Sequence, residues 1–530
     1  MTRAESKLRS VPPPKSGDRI ECRDPSTGER LGTVPVTPTD WLPVLVGRAR
    51  DAHRMWAATP FSERRRVLRR LLDRVLDRAD EICGWVTRDA GKTREHAIMG
   101  EIWPVVEKLR WTIAHGEKHL RPERVSSGPF VHKRARIDYV PLGVVGVISP
   151  WNYPFQNMLG PTVPALMAGN AVIIKPSEWV AWSSANIQAF LDDVLEEAGA
   201  PRGLIQTVQG YGDAGAEVIG AGVDKVIFTG SHENGKRVMA TAAETLTPVI
   251  LELGGKDPLI VCDDANLEQA AHAAMAGTFI NCGQNCLATE RILVFDAVFD
   301  DFTGRVLELV HGLRQGPPSA GGEVDVGAIL SPVQLDRIEE LVDDAVRSGA
   351  TLLHGGKRAD IAGGQFFEPT VLADVTPDMR IAQEETFGPV MVLMRVRDER
   401  EALRVANGTA YGLSATVVTR SARRARRMSR QLVAGSTAWN DFGLTYMAMD
   451  LPFGGARGSG LGRLNGRDGL RALTHIKPVL EDRLPFGFPA RVFPVSPATY
   501  DRTREALRLL YGRGPGRRLA AVRGLLGSLF

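Results

Sequence analysis

The sequence predicts an α/β protein of at least two domains, and three observations carry that prediction. The chain has 530 residues, too many for one small core at about 150 residues per domain. Short apolar runs rich in β-branched residues recur through its middle and later parts. Amphipathic stretches long enough for helices lie between them, which is the β-α-β-α order of a parallel sheet covered on both faces. A hydrophobic content of 43% with 24% charged residues belongs to a globular protein with a real core and excludes disorder as the main state. Lys plus Arg is 66 against 62 Asp plus Glu, a net charge of +4, which argues against a dedicated nucleic-acid binder.

Taken in order, residues 1–20 carry Arg3, Lys7, Arg9 and Lys15 with no apolar run behind them, so no signal peptide is expected. Turn-rich sequence follows (Pro12-Pro13-Pro14 and Asp24-Pro25-Ser26-Thr27-Gly28), and then residues 64–79 place Val67, Leu68, Leu71, Leu72, Val75 and Leu76 at helical spacing. The strands predicted next are Val144-Val145-Gly146-Val147-Ile148, Ala171-Val172-Ile173-Ile174, Leu204 to Val208 and Val226-Ile227-Phe228, with a helix over 185–198. A second α/β series uses Leu259-Ile260-Val261, Arg291 to Phe295 and Val390 to Met394. The arginines of 421–432 read as a solvated helix face, because no aromatic platform interleaves them. The tail, 484–530, pairs an Arg-rich helix candidate with an apolar end that is too short to cross a bilayer. It fits either a membrane interface or packing on protein. Five cysteines at irregular spacing make neither a disulfide framework nor a zinc site, so a reducing, cytoplasmic setting and no metal are expected.

Several turns could carry chemistry. Gly210-Tyr211-Gly212-Asp213-Ala214-Gly215 follows a strand and opens a helix, the context that dinucleotide binding needs. Phe228-Thr229-Gly230-Ser231 does the same, offering N–H groups and a hydroxyl to a phosphate. Lys175-Pro176-Ser177-Glu178 puts a cation and a carboxylate at a strand end, and Glu178 suits a ribose diol, favouring NAD over a 2′-phosphate. Ser177 also reads simply as a helix cap. Cys286 stands after Gly283-Gln284-Asn285 in polar sequence where a thiolate can be reached and stabilised, while Cys22, Cys83 and Cys262 read as buried small hydrophobes. Glu252, between Leu251 and Leu253, gains base strength through desolvation or else pairs with Lys256. Asn152 in Pro150-Trp151-Asn152-Tyr153-Pro154 is a neutral donor suited to an oxyanion, or a turn residue.

Together with Glu385-Thr386-Phe387-Gly388-Pro389 and Pro452-Phe453-Gly454-Gly455, these motifs resemble the aldehyde dehydrogenase superfamily over residues 20–482. The resemblance implies Cys286 as nucleophile, Glu252 as general base, and Asn152 with the Cys286 backbone N–H as the oxyanion hole. It also implies cofactor contacts from Ser149, Trp151, Lys175, Ser177, Glu178, Gly212, Gly215, Gly230, Ser231, Leu253, Glu385 and Phe387. NAD is the expected cofactor, with NADP as the other possibility. The implied architecture is a Rossmann-like cofactor domain (1–122 and 142–253), a catalytic domain (254–458), a small β oligomerisation element (123–141 and 459–483) and a basic extension (484–530). The assembly would be a homodimer or homotetramer.

Pro161 and Leu464 depart from the superfamily's usual lysine and glutamate, which weakens any proton relay beyond Glu252, and Arg457 replaces a usual lysine. The expected substrate is a small-molecule aldehyde, apolar or aromatic, or a semialdehyde such as succinic semialdehyde if Arg457 or another arginine pairs its carboxylate. Gly160, Met158, Asn285, Leu287 and residues 442–447 are the guesses at its tunnel. The competing readings are a coenzyme A-acylating enzyme, a membrane-associated scaffold without catalysis, and a cysteine hydrolase.

Overall fold

The computed structural model describes residues 19–318, 323–485 and 493–527. The basic N-terminal stretch read for a signal peptide, together with 486–492 and 528–530 of the tail, lies outside them. The chain divides into two units, residues 1–121 with 138–477, and residues 122–137 with 478–530.

The first unit is built on two sheets. The six-stranded sheet runs in the order Gly460–Leu461, Val249–Leu253, Lys225–Gly230, Val144–Ser149, Ala171–Pro176, Ile205–Thr207. Its last five strands are parallel and the Gly460–Leu461 edge is antiparallel. The first strand in the chain, Val144–Ser149, lies in the middle, so the winding direction reverses between it and Lys225–Gly230. That reversal opens a crevice at the carboxyl ends of the two strands, where α/β sheets bind ligands. The seven-stranded sheet orders Thr351–His354, Thr370–Ala373, Val390–Val396, Thr289–Phe295, Asp257–Val261, Ser414–Val418 and Ser436–Trp439. Only its Thr351–His354 edge is antiparallel. Each sheet has its own apolar core.

The predicted helix over 64–79 spans Phe61–Asp77. It starts earlier because Pro60 is extended and opens it, and it buries Val67, Leu68, Leu71 and Val75 but leaves Leu76 exposed at the rim of the apolar stripe. The arginine-rich segment forms the helix Ala422–Ser429, whose Arg424 and Arg427 pair with Asp263, Asp264 and Glu399, as a solvated face should. A third sheet orders Thr474–Asp482, Lys133–Pro141 and Glu123–Val125. The second unit further holds two consecutive helices, Pro497–Tyr511 and Pro515–Gly527. Among the described residues no helix is long and apolar enough to cross a membrane, and no cluster of His, Cys, Asp or Glu could hold a metal.

Candidate active site

The crevice of the six-stranded sheet begins at Ser149, which ends the central strand. Its Oγ is buried without a hydrogen-bond partner, the mark of a polar group awaiting a ligand. Across the reversal, Gly230 ends the neighbouring strand, and a Cβ there would lie 2.6 Å from the tip of the Phe228 ring, which would have to shift to admit it. Ser231 then caps the helix His232–Glu244 by accepting a hydrogen bond from Asn234 N–H at 3.3 Å. The N-terminus of that helix presents N–H groups and a positive dipole end to the crevice. Gly235, one turn in, packs on Leu253, where a Cβ would meet Cδ2 at 2.6 Å.

On the other side of the central strand, Lys175 Nζ lies 3.6 Å from Glu178 Oε2. Burial lowers the affinity of Lys175 for its proton, and Glu178 partly restores it. Ser177 caps the short helix Glu178–Val180 and donates to Glu178 at 3.3 Å. Gly212 and Gly215 differ from Gly230. They open the helix Gly212–Gly220 after the sheet's edge strand, two strands away from the reversal. A Cβ at Gly212 would meet open space and one at Gly215 ordinary contact with Ile148, so the packing of the chain requires neither.

The loop that carries Cys286, the candidate nucleophile, follows the helix Leu267–Phe279. Asn281, Cys282 and Gly283 all have positive φ (52°, 56° and 71°), a cost that side chains must offset. Gly283 has no alternative, since a Cβ would sit 2.1 Å from the Gly388 carbonyl oxygen. Gln284 is buried; it donates to the Ala328 carbonyl at 3.1 Å and accepts from Leu330 N–H at 2.9 Å. Cys286 follows, half-buried against Leu287, Leu413, Phe453, Phe442 and Tyr446. Its backbone N–H makes no hydrogen bond among the described residues.

Asn152 reaches this loop from the end of the central strand, its Nδ2 donating to the Gln284 carbonyl at 3.1 Å. Asn157 Nδ2 donates to Asn152 Oδ1 at 3.1 Å, so the oxygen is engaged and the nitrogen is turned toward the loop. One amide hydrogen therefore remains for a ligand oxygen.

Glu252 lies on the strand Val249–Leu253 and is buried, with Oε1 unpartnered. Burial pushes its pKa up to about 7, against the opposing effect of a hydrogen bond from Cys286. Lys256 does not pair with it; that lysine is bonded to Glu290 at 2.6 Å. The same surroundings act on the sulfur. Burial, then the charge and hydrogen bond of Glu252, then Asp257 and Glu385, raise the Cys286 pKa well above its ordinary value. The polar sequence around Cys286 does not make an electropositive site, because its long-range neighbours are acids and aromatic carbons. The sulfur also lies 3.8 Å from Asn285 Oδ1, within reach of a weak S–H donation.

Glu385 and Phe387 approach from the catalytic half. Glu385 accepts from Gly255 N–H at 3.1 Å, and a Cβ on Gly254 would lie 2.2 Å from its Oε2. The Phe387 ring, at positive φ, meets Trp151 edge-on with centroids 5.4 Å apart. Glu290 anchors this segment by accepting Thr386 N–H at 2.7 Å and Phe387 N–H at 2.8 Å.

A cysteine with a buried base, two candidate oxyanion donors and an adjoining phosphate-type cradle now stand together. The Aldehyde dehydrogenase family profile matches residues 13–479. The chain belongs to the aldehyde dehydrogenase family. An aldehyde dehydrogenase-like protein of Schizosaccharomyces pombe is 36% identical over 93% of this chain and 96% of its own. The 4,4'-diapolycopene aldehyde oxidase of a Methylomonas species is 37% identical over 93% and 91%. Among solved structures, the betaine aldehyde dehydrogenase of Staphylococcus aureus in complex with NAD+ superposes with a TM-score of 0.84 at 31% identity, covering 90% of this chain and 94% of that one. Oxidation of an aldehyde with a nicotinamide dinucleotide is the family's general reaction.

Sequence reasoning missed Lys92, Glu101, Asn157 and Glu290. Lys92, Glu101 and Glu290 reach backbone atoms distant in sequence, and Asn157 reaches the Asn152 side chain across the strand-to-helix turn, so no local motif marks them. Arg457 is corrected as a substrate partner, since its Nη1 donates to the carbonyls of Asn407 and Thr409. Met158 is fully buried in the core of the six-stranded sheet.

Proposed function

We propose that this protein oxidises an apolar aldehyde to its carboxylic acid, with NAD held over the six-stranded sheet and the thiol supplied by residues 254–458. The observation that carries the substrate class is the wall beside Cys286, made of Leu287, Leu413, Phe442, Tyr446 and Phe453. Phe442 and Tyr446 are its partly exposed members and the rest is packed behind them, so the surroundings of the sulfur are apolar. The Methylomonas relative's name describes an aldehyde of this kind.

In the proposed cycle Glu252 takes the Cys286 proton as sulfur adds to the aldehyde carbon, forming the C–S bond and an oxyanion. Asn152 Nδ2 and the Cys286 N–H stabilise that oxygen. A nicotinamide dinucleotide held by the residues named below would supply the hydride acceptor for that carbon, and Cys286 would keep the acyl group as a thioester. Once Glu252 has released that first proton to solvent, it accepts a proton from the water that adds to the thioester carbon, and the C–S bond breaks to give the acid and return the sulfur to Cys286. Ser149, Ser231 and the N-terminus of the helix His232–Glu244 fit a pyrophosphate, while Lys175 and Glu178 fit a ribose diol. Trp151, Ser177, Gly212, Gly215, Gly230 and Leu253 would shape the rest of the cradle, and Glu385 with Phe387 the nicotinamide end. A carboxylate at 178 disfavours a 2′-phosphate, which is the case for NAD over NADP.

Two partners belong to the same proposal. Exposed Phe130, Val131 and Ile476, on or beside the third sheet, suit a second copy of the chain in a homodimer or homotetramer. The tail helices expose Tyr500, Leu507, Leu510, Leu519 and Leu526 among arginines, which suits peripheral contact with an anionic bilayer. Five free cysteines fit a reducing cytoplasm.

A rate matrix of decanal, benzaldehyde and succinic semialdehyde against NAD+ and NADP+, with Cys286→Ala as blank, tests the reading. Decanal with NAD+ should give the highest kcat/KM. A preference for succinic semialdehyde would overturn the substrate class, and a coenzyme A requirement would replace the hydrolytic ending.

A further inference from the structure

Beneath Asn152 lies an ion pair that the proposed chemistry does not use. Lys92 Nζ and Glu101 Oε1 are 2.6 Å apart, and both side chains are 0% exposed. Lys92 follows Gly91, the left-handed C-cap of the helix Ala79–Ala90. Glu101 comes from a wide helical turn, Ile98–Ile102, that precedes the helix Trp103–Leu120.

The ammonium has three hydrogens, and the structure accounts for all three directions. One meets Glu101, one the Asn152 carbonyl at 2.5 Å, and the third side faces the Tyr153 ring, 4.0 Å from its centroid. Asn281 Nδ2 donates to the same Asn152 carbonyl at 3.0 Å, tying that point to the nucleophile loop. Glu101 uses its other oxygen on the Gln156 N–H at 2.9 Å. Gln156 is in the first turn of the helix Pro154–Ala168, whose N-cap residue, Tyr153, makes no side-chain capping bond. Glu101 supplies that missing acceptor at the positive end of the helix.

The pair thus grips residues 152 and 156 on either side of the bend that aims the Asn152 side chain. A buried ion pair is a poor way to gain stability, since apolar replacements of similar volume often do as well. Its distinctive product is geometry. Resting on the reading of Asn152 as oxyanion donor, we propose that Lys92 and Glu101 are positioning residues that hold the Asn152 amide on the oxygen of the adduct formed at Cys286.

The test is a mutational cycle read on Cys286-dependent hydrolysis of 4-nitrophenyl acetate, which needs the thiol and the oxyanion donor but no particular aldehyde. Lys92→Met/Glu101→Gln removes both charges together and keeps an amide oxygen for the Gln156 N–H. Its kcat should fall about ten- to hundredfold, with NAD+ affinity unchanged. Asn152→Ala should lose about a hundredfold or more. Combining all three substitutions should cost nothing beyond Asn152→Ala, because the pair acts only through that amide. Multiplying losses, or a double variant with unchanged kcat, would overturn the inference alone. An Asn152→Ala enzyme with an unchanged rate, or turnover that survives Cys286→Ala, would instead overturn the reading on which it rests. Should the double variant fail to fold, Glu101→Asp keeps both charges and retracts the carboxylate by one methylene. It should lower kcat several-fold with KM unchanged, and an unaltered kcat there would equally contradict the proposal.

Discussion

The two halves of the site are held by the same device used in different ways. Under the six-stranded sheet's contribution, buried Lys92 and Glu101 bind the Asn152 carbonyl and the first turn of a helix. Under the catalytic half, buried Lys256 and Glu290 bind the Thr386 hydroxyl and two backbone N–H groups, those of Thr386 and Phe387. In the first pair only the lysine reaches the Asn152 carbonyl, whereas in the second both partners hold the same segment, the lysine by a hydroxyl and the carboxylate by two N–H groups. Burial and the nearby acids raise the affinity of the thiol for its proton. On the proposed function, the first pair would serve acyl chemistry at sulfur and the second hydride transfer, so the two can be broken separately.

The largest expected effect follows from cutting the second pair. Glu290→Gln strands a buried ammonium, and removing one partner of such a pair costs about 3–5 kcal/mol. NAD+-dependent turnover should collapse, and thermal unfolding should begin at a clearly lower temperature. Cys286-dependent ester hydrolysis, measured where the variant remains folded, should persist. Loss of both activities in equal measure would erase the division of labour.

Next, Asn152→Ala should raise the barrier by about 2.7–4 kcal/mol in ester hydrolysis and aldehyde oxidation alike. Gly254→Ala should act on oxidation only. Its Cβ would lie 2.2 Å from Glu385 Oε2, so the carboxylate must move while the thiol and its base stay in place. Steady-state assays of both reactions on the two variants separate these outcomes.

Smaller in size, but direct in sign, is the pH dependence. Glu252 ionises near 7 in the fold, above its ordinary value, because burial disfavours its charge. Only the ionised form can take the thiol proton, so the rate should rise through about pH 7 and lose that limb in Glu252→Gln. A carboxyl raised in the folded state favours folding fully below its unfolded pKa, and that contribution disappears as pH climbs through the folded value. Glu252→Gln should therefore unfold at a higher temperature than the parent at pH 8, with the difference gone by pH 4.

How far the sequence reveals this arrangement depends on whether a residue acts through its neighbours in the chain or through distant ones. The strands Val144–Ser149, Ala171–Pro176 and Lys225–Gly230 are legible because fully buried parallel strands must be apolar along their whole length. Gly230 and Ser231 are legible because a strand, a tight turn and a capped helix lie within a few residues. The strand Thr370–Ala373 is harder to see, being four residues long and fixed by its neighbours in the sheet. Lys92 and Glu101 give no signal, as their meaning lies in a carbonyl 60 residues from Lys92. The protonation of Cys286 is invisible for the same reason: Glu252, Asp257 and Glu385 converge on it only in the fold.

The central claim is that Cys286 forms and then loses an acyl bond during oxidation of an apolar aldehyde. Peptide mass spectrometry of enzyme quenched in acid during turnover of decanal with NAD+ tests it most directly. The account predicts a decanoyl thioester on the Cys286 peptide, absent when NAD+ is omitted and absent in Cys286→Ala. An acyl group on any other residue, or undiminished NADH formation by Cys286→Ala, would contradict it.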